Sequence, residues 1–199
     1  MESTPLNQPE SSEPEAKSQP KPISHKQLVI EFVQTVLLAV ILYALIDAVV
    51  ARVRVENISM EPTLMPGEFL LVNKLAYHLG SLQRGDIIVF HYPGDPSQDY
   101  IKRIIGLPGD DIKVQSGEVM VNGFALTETY ISAPPEYQGE WVVPTDSLFV
   151  LGDNRNSSSD SHSWGYVPES FVIGRAIFIY WPFNAAKSLY RPVIFSAVP

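Results

Sequence analysis

Leu28 to Val50 is a run of 23 residues dominated by apolar side chains, and its central fifteen, Phe32 to Ile46, carry no charge. As a helix rising about 1.5 Å per residue it extends about 35 Å, against a bilayer hydrocarbon core of about 30 Å. The run therefore predicts one membrane-crossing helix. A cleaved leader is the competing interpretation, but a long acidic stretch precedes the run and no small-x-small site follows it. Lys17, Lys21 and Lys26 lie before the span and Arg52 and Arg54 after it. That margin favours a cytoplasmic N-terminus.

Residues 1–27 hold five prolines, five serines and four glutamates with almost no large apolar side chain. Such a segment buries too little surface to offset the entropy of ordering, so it reads as a disordered tail. The formal net charge of −8 and the lack of any basic run longer than Lys102-Arg103 argue against a nucleic-acid partner. Absence of cysteine removes thiol catalysis, disulfides and thiolate metal sites.

Beyond the apolar run the chain reads as mainly β and antiparallel. Short segments rich in Val, Ile, Phe and Tyr alternate with Gly, Pro, Asn and Asp turn signals. The pattern predicts strands over Phe69 to Asn73, Asp86 to Tyr92, Tyr100 to Gly106, Asp111 to Gln115, Glu118 to Val121, Phe124 to Leu126, Leu148 to Gly152 and Val172 to Tyr180. Asn122-Gly123 is a type I′ hairpin signal, and Ser116-Gly117 is placed to close a neighbouring hairpin. Thr127 to Thr145, with its prolines, reads as an irregular loop or small subdomain. The expected organisation is a tail at 1–27, an anchor at 28–50 and a β-rich domain at 51–199, with a small irregular subdomain around 107–147.

Ser59 and Lys102 are the candidate chemical pair. A serine hydroxyl is a weak nucleophile until a base removes its proton, and lysine serves only when its amine is neutral. Taken alone, Ser59 reads as a turn serine and Lys102 as a solvated strand lysine. Context points elsewhere: Pro62 stiffens the chain after Ser59, and Lys102 lies among Tyr100, Ile101, Ile104 and Ile105. Strand alternation sets Tyr100, Lys102 and Ile104 on one face and Ile101, Arg103 and Ile105 on the other. One cation must then share an apolar face, and lysine is the one whose pKa can fall enough for it to act as a base.

The segment Gly152 to Gly165 is dense in hydroxyls, carboxylates and amides. It suits either a polar surface loop or a hydrogen-bonded shell that orients a catalytic group. Asp153, Asp160 and His162 lack any recognised metal-ligand spacing, so no metal and no cofactor is expected. His162 is the alternative base, since histidine is the usual partner of a serine nucleophile.

Three segments together carry a family resemblance. Ser59-Met60-x-Pro62-Thr63, then Tyr100 to Arg103 with Gly106 to Asp110, then Gly152 to Arg155 through Ser158, Asp160, Ser161 and Gly165 resemble the signature boxes of type I signal peptidases. Arg84 to Phe90 resembles a strand box of the same family, and the likeness covers about residues 28 to 182. It implies an endopeptidase that removes signal peptides at the outer face of a plasma or thylakoid membrane. Ser59 matches the nucleophile, Lys102 the general base, Ser158 the hydroxyl that orients the lysine amine, and Asp160 an acid of its supporting network. The oxyanion hole implied is the Ser59 backbone N–H together with the side chain of Asn57, where well-known members carry a hydroxyl. The implied partners are signal peptides of secretory preproteins and the lipid bilayer. Two alternatives stay open: a self-cleaving Ser/Lys protease of repressor type, and an inactive membrane-anchored relative acting as a binding module.

Overall fold

The structure, a computed structural model, describes residues 24–189. The chain divides into two compact units, Met1–Leu42 and Tyr43–Pro199. Helix α1, His25–Val49, has no buried residue and is long and apolar enough to cross a membrane. It starts three residues earlier than the apolar run suggests, so residues 25–27, expected in the tail, are helical. The remaining tail, 1–23, and residues 190–199 lie outside the described residues.

The rest is built from antiparallel strands, in chain order β1 Val50–Arg54, β2 Phe69–Asn73, β3 Ile87–Tyr92, β4 Asp95–Gly106, β5 Asp111–Gln115 and β6 Glu118–Val121. There follow β7 Phe124–Ala125, β8 Gly139–Val142, β9 Ser147–Leu151, a four-residue helix α2 Ser161–Trp164, β10 Val167–Pro168, β11 Val172–Trp181 and β12 Lys187–Ser188. An eight-stranded sheet runs β1-β2-β11-β3-β4-β9-β10, with β12 on β11, and a four-stranded sheet runs β7-β6-β5-β8. The mainly β, antiparallel class expected of the sequence is the class observed.

Turn chemistry explains the smaller sheet. Ser116 and Gly117, and likewise Asn122 and Gly123, all have positive φ, as type I′ turns require. They close the β5–β6 and β6–β7 hairpins. Strand β8 runs inside the 127–145 stretch expected as an irregular loop or small subdomain. Gly139 and Glu140 mask it in the sequence, but backbone pairing with β5 along Asp111 to Val114 holds it. Strands β1, β10 and β12 also escape a pattern reading; β10 and β12 have two residues each, too few for periodicity to show.

Strand parity sorts the core. Along β3, Ile87 and Val89 face one cluster with Met60, Leu64, Leu70 and Val72, while Ile88 and Phe90 face another with Ile104, Leu148 and Val150. Ile105 joins a third cluster with Phe149, Leu151 and the apolar residues of β5 and β6. These side chains are nearly or wholly excluded from solvent, each stabilising the fold by about 1.5–3 kcal/mol relative to exposure. The first half of β4 projects into solvent; its second half, from Lys102 onward, is fully covered.

Candidate active site

Ser59 sits on a single 3-10 turn, Ile58–Met60, that follows β1. Met60 is 1% exposed and packs into the first core cluster, which fixes the turn to the sheet, while Ser59 stays half-buried at the surface. Lys102 reaches it from β4, where its partner across the β3 ladder is Ile88. Lys102 Nζ lies 2.9 Å from Ser59 Oγ and donates to the carbonyl oxygen of Ile101 at 3.0 Å. The Tyr100 ring centroid is 5.3 Å from the amine. A cleft of about 550 Å³ opens beside the pair, bordered by β1 and the turn on one side and by Asp99 to Lys102 on the other.

Both cations of the Lys102-Arg103 pair are buried, at 4% and 2% exposure, where the sequence required only one. The difference lies in their partners. Arg103 donates to both carboxylate oxygens of Asp153, at 2.8 and 2.5 Å, and stacks on Tyr130 at 4.1 Å. Among the described residues, no carboxylate forms an ion pair with Lys102. Burial therefore lowers its pKa to about 8, against an opposing pull from the charges of Asp160 and Asp153. An amine so placed accepts a hydroxyl proton near neutral pH.

The third segment wraps this pair. Gly152 packs so closely that a Cβ there would collide with Ser158 Oγ and the carbonyl oxygen of Ser59. Asp160 is fully buried. It accepts hydrogen bonds from the Gly152 N–H at 2.9 Å and the His162 N–H at 3.3 Å, and its Oδ1 lies 2.6 Å from His162 Nδ1. Asp160 therefore acts on Lys102 through its charge rather than through a hydrogen bond. Ser158 Oγ is buried and without a hydrogen-bond partner. The direct bond from Ser158 to the lysine amine that the resemblance implies is not made; the Ile101 carbonyl takes that place because it lies beside Lys102 on the same strand.

Asn57 precedes the 3-10 turn, is exposed, lines the cleft and makes no side-chain capping bond. His162, the alternative base, is instead held by Asp160 and stacked on Tyr137, with ring centroids 3.9 Å apart. Asp153 and Asp160 are committed to Arg103 and to the Gly152–His162 segment, and among the described residues no His, Cys, Asp or Glu cluster suits a metal ion.

Glu128 and Tyr130 carry no sequence pattern, and nothing in the sequence assigned a contact to Asn154 or Arg155 within the Gly152 to Gly165 segment. Glu128 makes a two-point ion pair with the buried Arg155, both contacts 2.6 Å, and Tyr130 donates to Glu128 at 2.7 Å. Asn154 donates from its side chain to the Ile58 carbonyl at 3.2 Å and from its backbone to the Ser59 carbonyl at 3.0 Å.

The sequence has relatives among known proteins. The family model described as signal peptidase, peptidase S26, matches residues 29–181. A signal peptidase I of Leptolyngbya laminosa is 44% identical over 198 residues, covering 95% of this chain and 93% of that one. A probable signal peptidase I-2 of a Synechocystis species is 47% identical over 161 residues, covering 77% and 73%. The crystal structure of a signal peptidase I from Enterococcus faecalis V583 is 32% identical, with a TM-score of 0.45, and covers 48% of this chain and 97% of that one. With its family match running from the apolar helix through the last long strand, the chain belongs to the signal peptidase family, the S26 serine endopeptidases.

Proposed function

We propose that this protein is a membrane-bound endopeptidase that cleaves N-terminal signal peptides from exported preproteins with a Ser59/Lys102 dyad. The observation that carries this is the 2.9 Å approach of a buried lysine amine without a carboxylate partner to a serine hydroxyl at the edge of a cleft. The relatives' names support the substrate class. Residues 28–50 serve as the anchor and 51–199 as the catalytic domain, with a subdomain around 107–147. The N-terminus is cytoplasmic, and the catalytic domain lies on the far side of a plasma or thylakoid membrane.

The neutral Lys102 amine takes the Ser59 proton as Ser59 Oγ bonds to the scissile carbonyl carbon, and the carbonyl π pair moves onto oxygen. The Ser59 backbone N–H faces that oxygen. It stands in the first turn of a 3-10 helix, where N–H groups have no intrahelical acceptor. Asn57, with an uncommitted amide on the cleft, supplies the second donor. Collapse of the intermediate breaks the C–N bond, and the Lys102 ammonium returns its proton to the departing amine. The regenerated amine then takes a proton from water, hydroxide attacks the acyl-enzyme, and Ser59 leaves with its proton restored. Ser158 Oγ, unpartnered in the resting enzyme, accepts a hydrogen bond from the ammonium while it carries the extra proton, and Asp160 supports the charge.

The test is cleavage of a preprotein bearing an Ala-x-Ala site by the detergent-purified full chain, beside Ser59→Ala and Lys102→Met. Cutting by the wild type alone is the expected result. An inert wild type, or an active Lys102→Met with a dead His162→Ala, overturns it.

A further inference from the structure

Asn154 holds both peptide units that flank the Ser59 Cα. Its side-chain amide donates to the carbonyl of Ile58 and its backbone N–H to the carbonyl of Ser59, at 3.2 and 3.0 Å. The first contact has a consequence on the other side of its peptide plane. A trans peptide is rigid and planar, and its C=O and N–H point in opposite directions. The Ile58 carbonyl and the Ser59 N–H share one such plane, so fixing the carbonyl aims the N–H.

The Ile58 carbonyl also accepts from the Glu61 N–H at 3.0 Å. Two donors arriving from different segments occupy both lone pairs and hold the plane against rotation, where a single donor would leave it free to tilt. Donation to a carbonyl also polarises the N–H of the same unit, strengthening its own hydrogen bond.

We infer that Asn154 is a positioning residue for the oxyanion hole, acting through the Ile58–Ser59 peptide to orient the Ser59 N–H toward the tetrahedral intermediate. This rests on the serine-peptidase reading given above. Asn154 touches neither Lys102 nor Ser59 Oγ in any hydrogen bond of the structure, so its contribution is separate from proton transfer.

Removing the side chain leaves the backbone clamp on Ser59 intact, and Asn154 is only half-buried, so Asn154→Ala folds. The experiment measures kcat, KM, pH profile and melting temperature for the full-length wild type, Asn154→Ala and Asn154→Asp on a peptide with an Ala-x-Ala site. Affinity for the matching peptide aldehyde, which places a charged oxygen where the intermediate has one, is compared with affinity for the product peptide. Loss of a whole oxyanion donor costs about 10²–10³ in kcat; loss of its orientation should cost less. The expected result is kcat about 30-fold lower, aldehyde affinity lower by a similar factor, and KM, product affinity and the acidic limb of the pH profile unchanged. Asn154→Asp, which carries no donor, behaves like Asn154→Ala.

A kcat within about threefold of wild type overturns the assignment. So does a loss accompanied by a moved pH limb or a fall in product affinity, which marks general disruption of the loop. Lys102→Met measured alongside separates the two ideas: an active wild type, a dead Lys102→Met and an unaltered Asn154→Ala sink the positioning role alone, whereas an inert wild type sinks both.

Discussion

Arg103 and Asp153 meet in a two-point ion pair, at 2.8 and 2.5 Å, one residue along the strand from Lys102. Both side chains are almost wholly buried. The pair gives the larger cation a full complement of charge and leaves the lysine without one. Adjacent cations on one strand thus differ in their partners, and Lys102 is the one left able to lose its proton.

Removing half of a buried ion pair strands the other charge, at about 3–5 kcal/mol. Asp153→Asn is therefore expected to lower the urea midpoint by the equivalent of about 3 kcal/mol. A loss of less than about 1 kcal/mol in equilibrium unfolding would contradict the pair's structural role.

Activity should rise with pH through the Lys102 titration. Since the neutral amine is the reactive form and its pKa is about 8, kcat/KM should climb about tenfold per pH unit below 8 and level off above it. The same shift has a stability signature. Lys102 has its pKa lowered on folding from 10.5 to about 8, so the unfolded chain binds more protons between those values, and stability rises across that window. Below pH 8 the full cost of the buried ammonium remains, about 3 kcal/mol. Lys102→Met should abolish this rise in a pH series of unfolding curves.

Asp160→Asn removes a carboxylate whose charge raises the Lys102 pKa. The acidic limb of the rate profile should move to lower pH, while Asn retains an oxygen to accept the Gly152 N–H. An upward shift, or none, would show that Asp160 does not act on the amine electrostatically.

Gly152→Ala should cripple turnover without unfolding the protein. The added methyl meets Ser158 Oγ and the Ser59 carbonyl, and a displacement of about 1 Å at the nucleophile costs about a hundredfold in rate. Single-turnover cleavage with a melting temperature near that of wild type is the diagnostic combination; wild-type turnover would rule out the close contact.

Glu128→Gln weakens the hold on Arg155, whose side chain is wholly buried and also donates to the Gly152 carbonyl. Replacing the carboxylate leaves a buried guanidinium short of charge, and destabilisation of about 3 kcal/mol is expected. Hydrogen exchange at residues 152–160 should speed up in step; unchanged exchange there would dissociate Glu128 from the loop.

Local pattern was enough to reveal the apolar helix, the longer antiparallel strands and the two hairpin turns, because each depends on the period of a few consecutive residues or on a residue pair that tolerates positive φ; β1, β8, β10 and β12 escaped it. It also singled out Ser59 and Lys102, by context and family resemblance. Which of Lys102 and Arg103 loses its proton was readable only as a tendency of lysine. The fold decided how far the lysine pKa falls, by delivering Asp153 from fifty residues away to Arg103 and by burying the amine near Tyr100. The Ile101 carbonyl in the place expected for Ser158, the Glu128–Arg155 pair and the grip of Asn154 on Ile58 and Ser59 are likewise tertiary. Each joins segments far apart or depends on ångström-scale placement, and a one-dimensional pattern carries no record of which distant backbone group a side chain will meet.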